Sequence, residues 1–147
     1  MTPSALADIH RAAFTHGRPW RAAEFEQLLS AKVNHLITTD HGFAVIQLLP
    51  PEVELLTIAV HPEHQGKGLG RVLMRELCIF AAAKGAAHIF LEVDARNEAA
   101  RALYEKTGFA QSGTRIAYYS HPDGSRSDAI LMTRPLDAEQ TGKRGKN

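Results

Sequence analysis

Apolar positions near the start of the chain recur at helical spacing. Leu6, Ile9 and Ala13 share one face of residues 3–14, with Pro3 in the first turn, and Phe25, Leu28 and Leu29 share one face of residues 21–30. The segment HGRPW separates these two predicted helices. The period then changes. Residues 35–39 and 43–49 are short strand-like runs joined at Asp40-His41-Gly42, a hairpin that Pro50-Pro51 ends. Residues 53–60, VELLTIAV, are so continuously apolar that both faces of this third strand are expected to be covered.

A helix is predicted over residues 69–84, with Leu69, Val72, Leu73, Leu77 and Phe80 along one side, Arg71 and Arg75 on another, and Gly85 as its stop. Residues 88–93, HIFLEV, read as a strand, and Asn97 caps a further helix that ends at Gly108. Strands in FAQSGTRIAYY and SDAILMT flank the turn HPDGSR. This order predicts a mixed α/β domain, one mixed sheet with helices on both faces. Beyond Leu136 the chain turns polar, so a single domain over residues 1–136 and a frayed tail over 137–147 are expected.

Composition narrows the function classes. Lys plus Arg number 17 against 16 Asp plus Glu, and a formal charge of +1 argues against a dedicated nucleic-acid binder. No run approaches the roughly 20 apolar residues that span a bilayer. Asp8 interrupts what would be a secretory core, so a cytoplasmic location without a membrane partner is expected. The single cysteine, Cys78, lies in an apolar helical run as a small buried hydrophobe without an activating neighbour, which fits a reducing compartment. His61 and His64 are separated by Pro62 and have no further ligand set, so no metal is expected. Lys143, Arg144 and Lys146 read as a solvated end rather than an RNA contact.

The stretch HPEHQGKGLG carries glycines at 66, 68 and 70 between a strand and a helix. Such a turn leaves several backbone N–H groups without helical partners, at a helix end that bears roughly half a positive charge. That is a site for phosphate or diphosphate, with Lys67 and Arg71 adding charge at its rim. A flexible connection is the competing reading. A Walker A loop is excluded because Lys67 is followed by Gly68 rather than Ser or Thr. A dinucleotide fingerprint is excluded because five residues separate Val60 from Gly66 and the chain closes with a strand pair.

Gln65-Gly66-Lys67-Gly68-Leu69-Gly70 resembles the Gln/Arg-x-x-Gly-x-Gly/Ala signature of the GNAT superfamily of acetyl-CoA-dependent N-acetyltransferases. Through LLTIAVHPEHQGKGLGRVLM, FLEVDARNEAARALYEKTGF and YYSHPDGSRSDAILM the chain is similar to one branch, the bacterial ribosomal-protein N-terminal alanine acetyltransferases. The resemblance implies that strands 53–60 and 88–93 splay apart and open a slot for the pantetheine arm of acetyl-CoA. Backbone groups of Ile58, Ala59 and Val60 would bond that arm, residues Gln65 to Arg71 would take the diphosphate, and Asn97 would meet the coenzyme farther along. It also implies that no metal takes part and that the acceptor amine attacks directly in a ternary complex.

Acetyl transfer needs an amine to lose a proton, an oxyanion to be stabilised and a departing thiolate to be protonated. Glu92 shares a strand face with His88 and Phe90, where partial burial would bring its carboxyl toward an α-amine of pKa near ~8. A solvated strand-end acid paired with Arg96 is the competing reading, and the residues alone leave the two even. The resemblance makes Glu92 the proton acceptor, directly or through a water. Tyr104 lies one turn beyond the small Ala100. By itself Tyr104 reads as a core aromatic beside Leu103; the resemblance makes it the proton donor to the thiolate.

The acceptor is expected to enter between the first helix pair and the last strand pair, bordered by Trp20, Tyr118 and Tyr119, for which ordinary core packing competes. Two departures from the family stand out. The branch's aromatic-Pro-Trp-Ser is replaced by Arg18-Pro19-Trp20-Arg21, and the strand that usually precedes the first helix is missing, which leaves the hairpin edge exposed. Three functions are weighed: acetylation of a protein N-terminus, with ribosomal protein S18 implied by the branch; acetylation of a small amine such as a polyamine or an aminoglycoside; and a non-catalytic acyl-CoA-binding module.

Overall fold

A computed structural model describes residues 1–14 and 18–136. The tail over 137–147, with Lys143, Arg144 and Lys146, lies outside the described residues. Four α-helices, α1 (Pro3–Ala13), α2 (Ala22–Ser30), α3 (Leu69–Ala83) and α4 (Glu98–Lys106), pack on a six-stranded sheet. Its strands are β1 (Asn34–Thr39), β2 (Gly42–Leu49), β3 (Glu52–Val60), β4 (His88–Asp94), β5 (Ala110–Ser120) and β6 (Arg126–Pro135). The spatial order is β1-β2-β3-β4-β6-β5, antiparallel except for the β3–β4 pair. No helix among the described residues is long and apolar enough to cross a membrane.

Both faces of the sheet are covered, each by its own apolar core. Met74, Leu77, Cys78 and Ala81 of α3 bury against Ile46, Leu55, Ile89, Leu91 and Met132, and Tyr104 of α4 joins this core. Truncating one fully buried member such as Leu77 to Ala would cost about 2–5 kcal/mol. The buried stripe of α3 is rotated from the expected one, since Val72 is 44% exposed and Met74 replaces it inside. On the other face Leu6 and Ala7 of α1 and Phe25 of α2 pack against Phe43, Val45 and Ala59. Thr2 caps α1 by accepting the Ala5 N–H, and Asn97 caps α4 by accepting the Ala100 N–H.

A bulge in β3 shapes the centre of the sheet. Val45 pairs with Thr57 and Ile46 with Leu55, so Leu56 has no partner across the ladder. The extra residue inverts the alternation: Val53, Leu55 and then Ile58 face α3, whereas Leu56 and Ala59 face α1 and α2. Bulges bend and twist a strand, and here the consequence lies next door. β3 and β4 pair as Glu52 with His88, Val53 with Ile89 and Glu54 with Phe90, and no farther. β3 continues along β2 to Val60 and β4 along β6 to Asp94. The two central strands therefore part beyond Glu54 and Phe90, the splay expected from the sequence.

Candidate active site

At the end of β3 a short 3-10 turn (Pro62–His64) leads into the glycine turn and α3. Gly66 and Gly68 both hold left-handed backbone, φ 82° and 81°, and a Cβ on either would meet nothing within 4 Å. Those two positions are bare because of their backbone and open onto free space. Gly70 differs: its φ is ordinary, and a Cβ there would lie 3.2 Å from Leu103 Cδ2 of α4. The missing side chain of the third glycine lets α3 approach α4 closely.

The helical ladder of α3 opens with Val72 N–H donating to Gly68 C=O. Among the described residues, none of the N–H groups of 66–71 reaches a backbone acceptor. Gln65 fixes the approach, since its side-chain amide donates to the Val60 carbonyl at 2.9 Å. Lys67 Nζ lies 3.3 Å from His64 Nδ1, and the His64 ring stacks on His41 with centroids 3.5 Å apart. Burial, then the neighbouring His41 and Lys67, lower the pKa of His64, and because the ammonium can only donate, Nδ1 is the acceptor of that bond. Lys67, Leu69 and Arg71 complete the rim, with Arg71 exposed. Unused donors around two left-handed, open glycines suit the diphosphate of a coenzyme.

The slot beside this turn is walled by the unpaired edge of β3, with Ile58 and Val60 half-buried and Ala59 buried. Across it stands Glu92 of β4, whose side chain is 23% exposed. Leu91 and Val93 on either side of it enter the α3 core, so Glu92 projects to the α1–α2 face. Its partner is Arg115 of β5, with guanidinium Nε 2.5 Å from Oε2, and not Arg96. Arg96 instead donates to Ser125 Oγ and the Arg126 carbonyl. Beside Glu92, on the last β3–β4 rung, sits Glu54, half-buried and on the same face. Burial, followed by repulsion from Glu92, raises the Glu54 carboxyl above the ordinary carboxylate range. The second carboxylate escaped the sequence reading because VELLTIAV was weighed for its apolar residues.

Tyr104 is 7% exposed on α4, its ring 5.9 Å from that of Phe109. Burial, with a contribution from Tyr119, pushes its phenol well above the usual range, so it remains a proton donor. Tyr119 is half-buried on β5, and burial, then Glu92 and Asp94, push it up to about 12. Tyr118 is 50% exposed, edge-on to Tyr119, with the Arg115 guanidinium 5.6 Å from its ring centre. These two tyrosines lie on β5, the strand that also carries the Arg115 partner of Glu92. Asn97 lies at the start of α4, where its side-chain oxygen is used by the helix cap.

Trp20 is foremost a packing residue. Its ring stacks on His10 and tilts against Phe25, and its backbone N–H donates to His10 Nδ1 at 3.0 Å. That bond leaves Nε2 of His10 as the protonated nitrogen, 3.2 Å from Thr57 Oγ1 beside the β3 bulge. Burial lowers His10 to a pKa of about 4, against a smaller opposing pull from Glu24. His10 was legible as the position one turn beyond Leu6, on the same helical face. Trp20, Glu24, Gln27, Leu28, Ala31 and Asn34 also line an open depression of about 520 Å³ on the α2 side. Among the described residues no group of three His, Cys, Asp or Glu side chains could hold a metal ion.

Comparison with known proteins agrees with this geometry. Residues 5–109 match the acetyltransferase (GNAT) family. The ribosomal protein bS18-alanine N-acetyltransferase of Escherichia coli is 37% identical over 139 residues, covering 92% of this chain and 93% of that protein. A crystal structure of the ribosomal-protein-S18-alanine N-acetyltransferase from Escherichia coli superposes with a TM-score of 0.80 at 36% identity, covering 92% of this chain and 88% of the other. A nourseothricin acetyltransferase structure is 35% identical over 66% of this chain and 58% of its own, with a TM-score of 0.60.

Proposed function

The chain belongs to the GNAT family of acetyltransferases, and from that premise we propose that it moves an acetyl group from acetyl-CoA to the α-amine of a protein N-terminus, with the N-terminal alanine of ribosomal protein S18 as its acceptor. The observation that carries the reading is the parting of β3 and β4 between the free amides of residues 66–71 and the Glu92 carboxylate. Similarity to a bS18-alanine acetyltransferase over 92% of the chain supports the choice of acceptor.

Acetyl-CoA, when bound, supplies an activated thioester. The amides of residues 66–71, with Lys67 and Arg71, would hold its diphosphate, and the free edge of β3 at Ile58, Ala59 and Val60 its pantetheine arm. Glu92 takes a proton from the acceptor ammonium, directly or through a water, with Glu54 as the neighbouring carboxylate. An α-ammonium near pKa ~8 and an ordinary carboxyl near ~4.3 differ by about 5 kcal/mol, and the raised carboxyl of Glu54 lies closer to the amine should the proton pass on to it. The phenol of Tyr104 gives its proton to the departing sulfur. Tyr118 and Tyr119 border the entrance for the acceptor.

The partial similarity to a nourseothricin acetyltransferase supports a second reading, acetylation of a small amine. A polyamine would favour an acidic entrance, whereas Arg18 and Arg21 flank Trp20 there, both drawn to Glu24. A coenzyme-release assay against peptides with varied first residues, run beside spermidine and an aminoglycoside, separates the two. Release with alanine-initiated peptides and not with the small amines is the expected result; the reverse pattern favours the second reading.

A further inference from the structure

A buried polar chain at the far end of β4 takes no part in the chemistry above. Ser127 Oγ donates to Asp94 Oδ1 at 2.7 Å, and His121 Nε2 lies 2.7 Å from Ser127 Oγ. The hydroxyl has a single proton and spends it on Asp94, so the imidazole must be the N–H donor to Ser127. The same ring nitrogen is 3.6 Å from Asp94 Oδ2. Asp94 and Ser127 are 9% and 7% exposed, and Asp94 Oδ1 also accepts the Arg96 N–H. The composition suggests a nucleophilic triad, but the geometry excludes one. One ring nitrogen reaches both partners, and the serine hydroxyl points at the carboxylate instead of at a base.

What the chain joins is more telling. Asp94 ends β4, two residues beyond Glu92, whereas Ser127 and His121 belong to the hairpin that carries Tyr118 and Tyr119. The ladder is broken in that hairpin. Pairing passes from Arg115 with Ala129 to Tyr119 with Ser127, and Ala117 between them is left-handed at φ 51°. Side chains bridge the gap: Asp128 accepts the Ala117 N–H at 2.8 Å, and Arg126 donates to the Ala117 carbonyl at 2.9 Å. Nothing in these two bonds ties the tyrosine segment to β4. Beside the Arg115–Glu92 pair, the buried tie is the His121–Ser127–Asp94 chain, which runs through the residue that pairs with Tyr119.

We propose that His121 is a positioning residue for the acceptor site: through Ser127 and Asp94 it locks the Tyr118–Tyr119 segment against the end of β4 and thereby sets affinity for the acceptor. This rests on the reading that the acceptor enters beside those tyrosines. Removing the imidazole leaves the Ser127 oxygen without its donor, and removing the serine hydroxyl breaks this buried bridge, leaving the half-exposed Arg115–Glu92 pair and the Arg96 contacts to hold the hairpin. Either change loosens the acceptor wall and leaves the coenzyme turn, on the other side of the cleft, untouched.

The test compares His121→Ala, Ser127→Ala and His121→Gln, the last of which keeps an N–H donor of similar reach. In His121→Ala and Ser127→Ala, KM for an alanine-initiated peptide should rise about tenfold, the loss of one or two hydrogen bonds, while kcat and the Kd for acetyl-CoA stay within about threefold. His121→Gln should restore KM to within about twofold of wild type. Amide hydrogen exchange over residues 115–121 of the unliganded protein should quicken in the two alanine variants and not in His121→Gln. Unchanged exchange and KM in His121→Ala, or equal damage in His121→Gln, would overturn the proposal. Failure of the wild type to acetylate any peptide would instead count against the acceptor reading, and the exchange measurement would still decide the role of His121.

Discussion

Gly70 of α3 and Leu103 of α4 meet so closely that a Cβ on the glycine would lie 3.2 Å from the leucine Cδ2. Gly66 and Gly68, four and two residues earlier, face open space. A Gly68→Ala change forces a side chain into left-handed backbone, at about 1–2 kcal/mol, and narrows the diphosphate cradle. It should weaken acetyl-CoA binding at least tenfold by titration calorimetry. Gly70→Ala should leave that affinity within about threefold and register in thermal unfolding, as tight helix packing does. The opposite pattern would place the coenzyme over Gly70.

The Arg115–Glu92 contact and the neighbouring Glu54 make the cleft a site of two carboxylates and one guanidinium. Glu92→Gln should lower kcat by about 10²–10⁴-fold, the usual range for a lost proton acceptor, without altering the Kd for acetyl-CoA. Carboxyl NMR titration should show Glu54 moving back toward ordinary values in the same variant, because the repelling charge is gone. A Glu54 signal indifferent to Glu92→Gln would show that the two side chains do not face each other.

Tyr104 is buried and its phenol is pushed upward, so it holds its proton across the working range. Tyr104→Phe should reduce kcat about ten- to a hundredfold and leave thermal stability nearly unchanged, since the ring packing on Phe109 survives. A wild-type rate would reduce Tyr104 to a core aromatic.

His10 gives the fold an acid sensitivity. Its folded-state pKa is about 4 against 6.5 for the free side chain. Between those values the unfolded chain binds a proton that the folded chain refuses. Stability is therefore full above pH 6.5 and falls as pH drops toward about 4, by about 3 kcal/mol at most, with no further loss from this group below that. His10→Phe keeps a ring among Phe14, Trp20 and Phe25 and should flatten that part of the curve in urea titrations at stepped pH. An identical slope in the variant would assign the sensitivity elsewhere.

Local pattern carried the fold a long way. Each expected helix and strand is present, because period, caps and glycine stops are written in neighbouring residues. The splay came through resemblance, since VELLTIAV reads as an unbroken apolar strand and conceals the bulge at Leu56. Glu92 stands on β4 beyond the last β3–β4 rung and Tyr104 on α4. The partners that define their surroundings did not show: Arg115, Glu54 and the His121–Ser127–Asp94 chain come together only through the sheet. The three glycines look equivalent in a row, although two answer to backbone conformation and one to Leu103.

Mass spectrometry tests the central claim most directly. The protein is incubated with acetyl-CoA and an alanine-initiated peptide that also contains lysine, and the acetylated nitrogen is located by fragmentation. The expected result is acetyl on the α-amine alone, with the product nearly abolished in Glu92→Gln. Acetyl on the lysine, or undiminished product from Glu92→Gln, would contradict it.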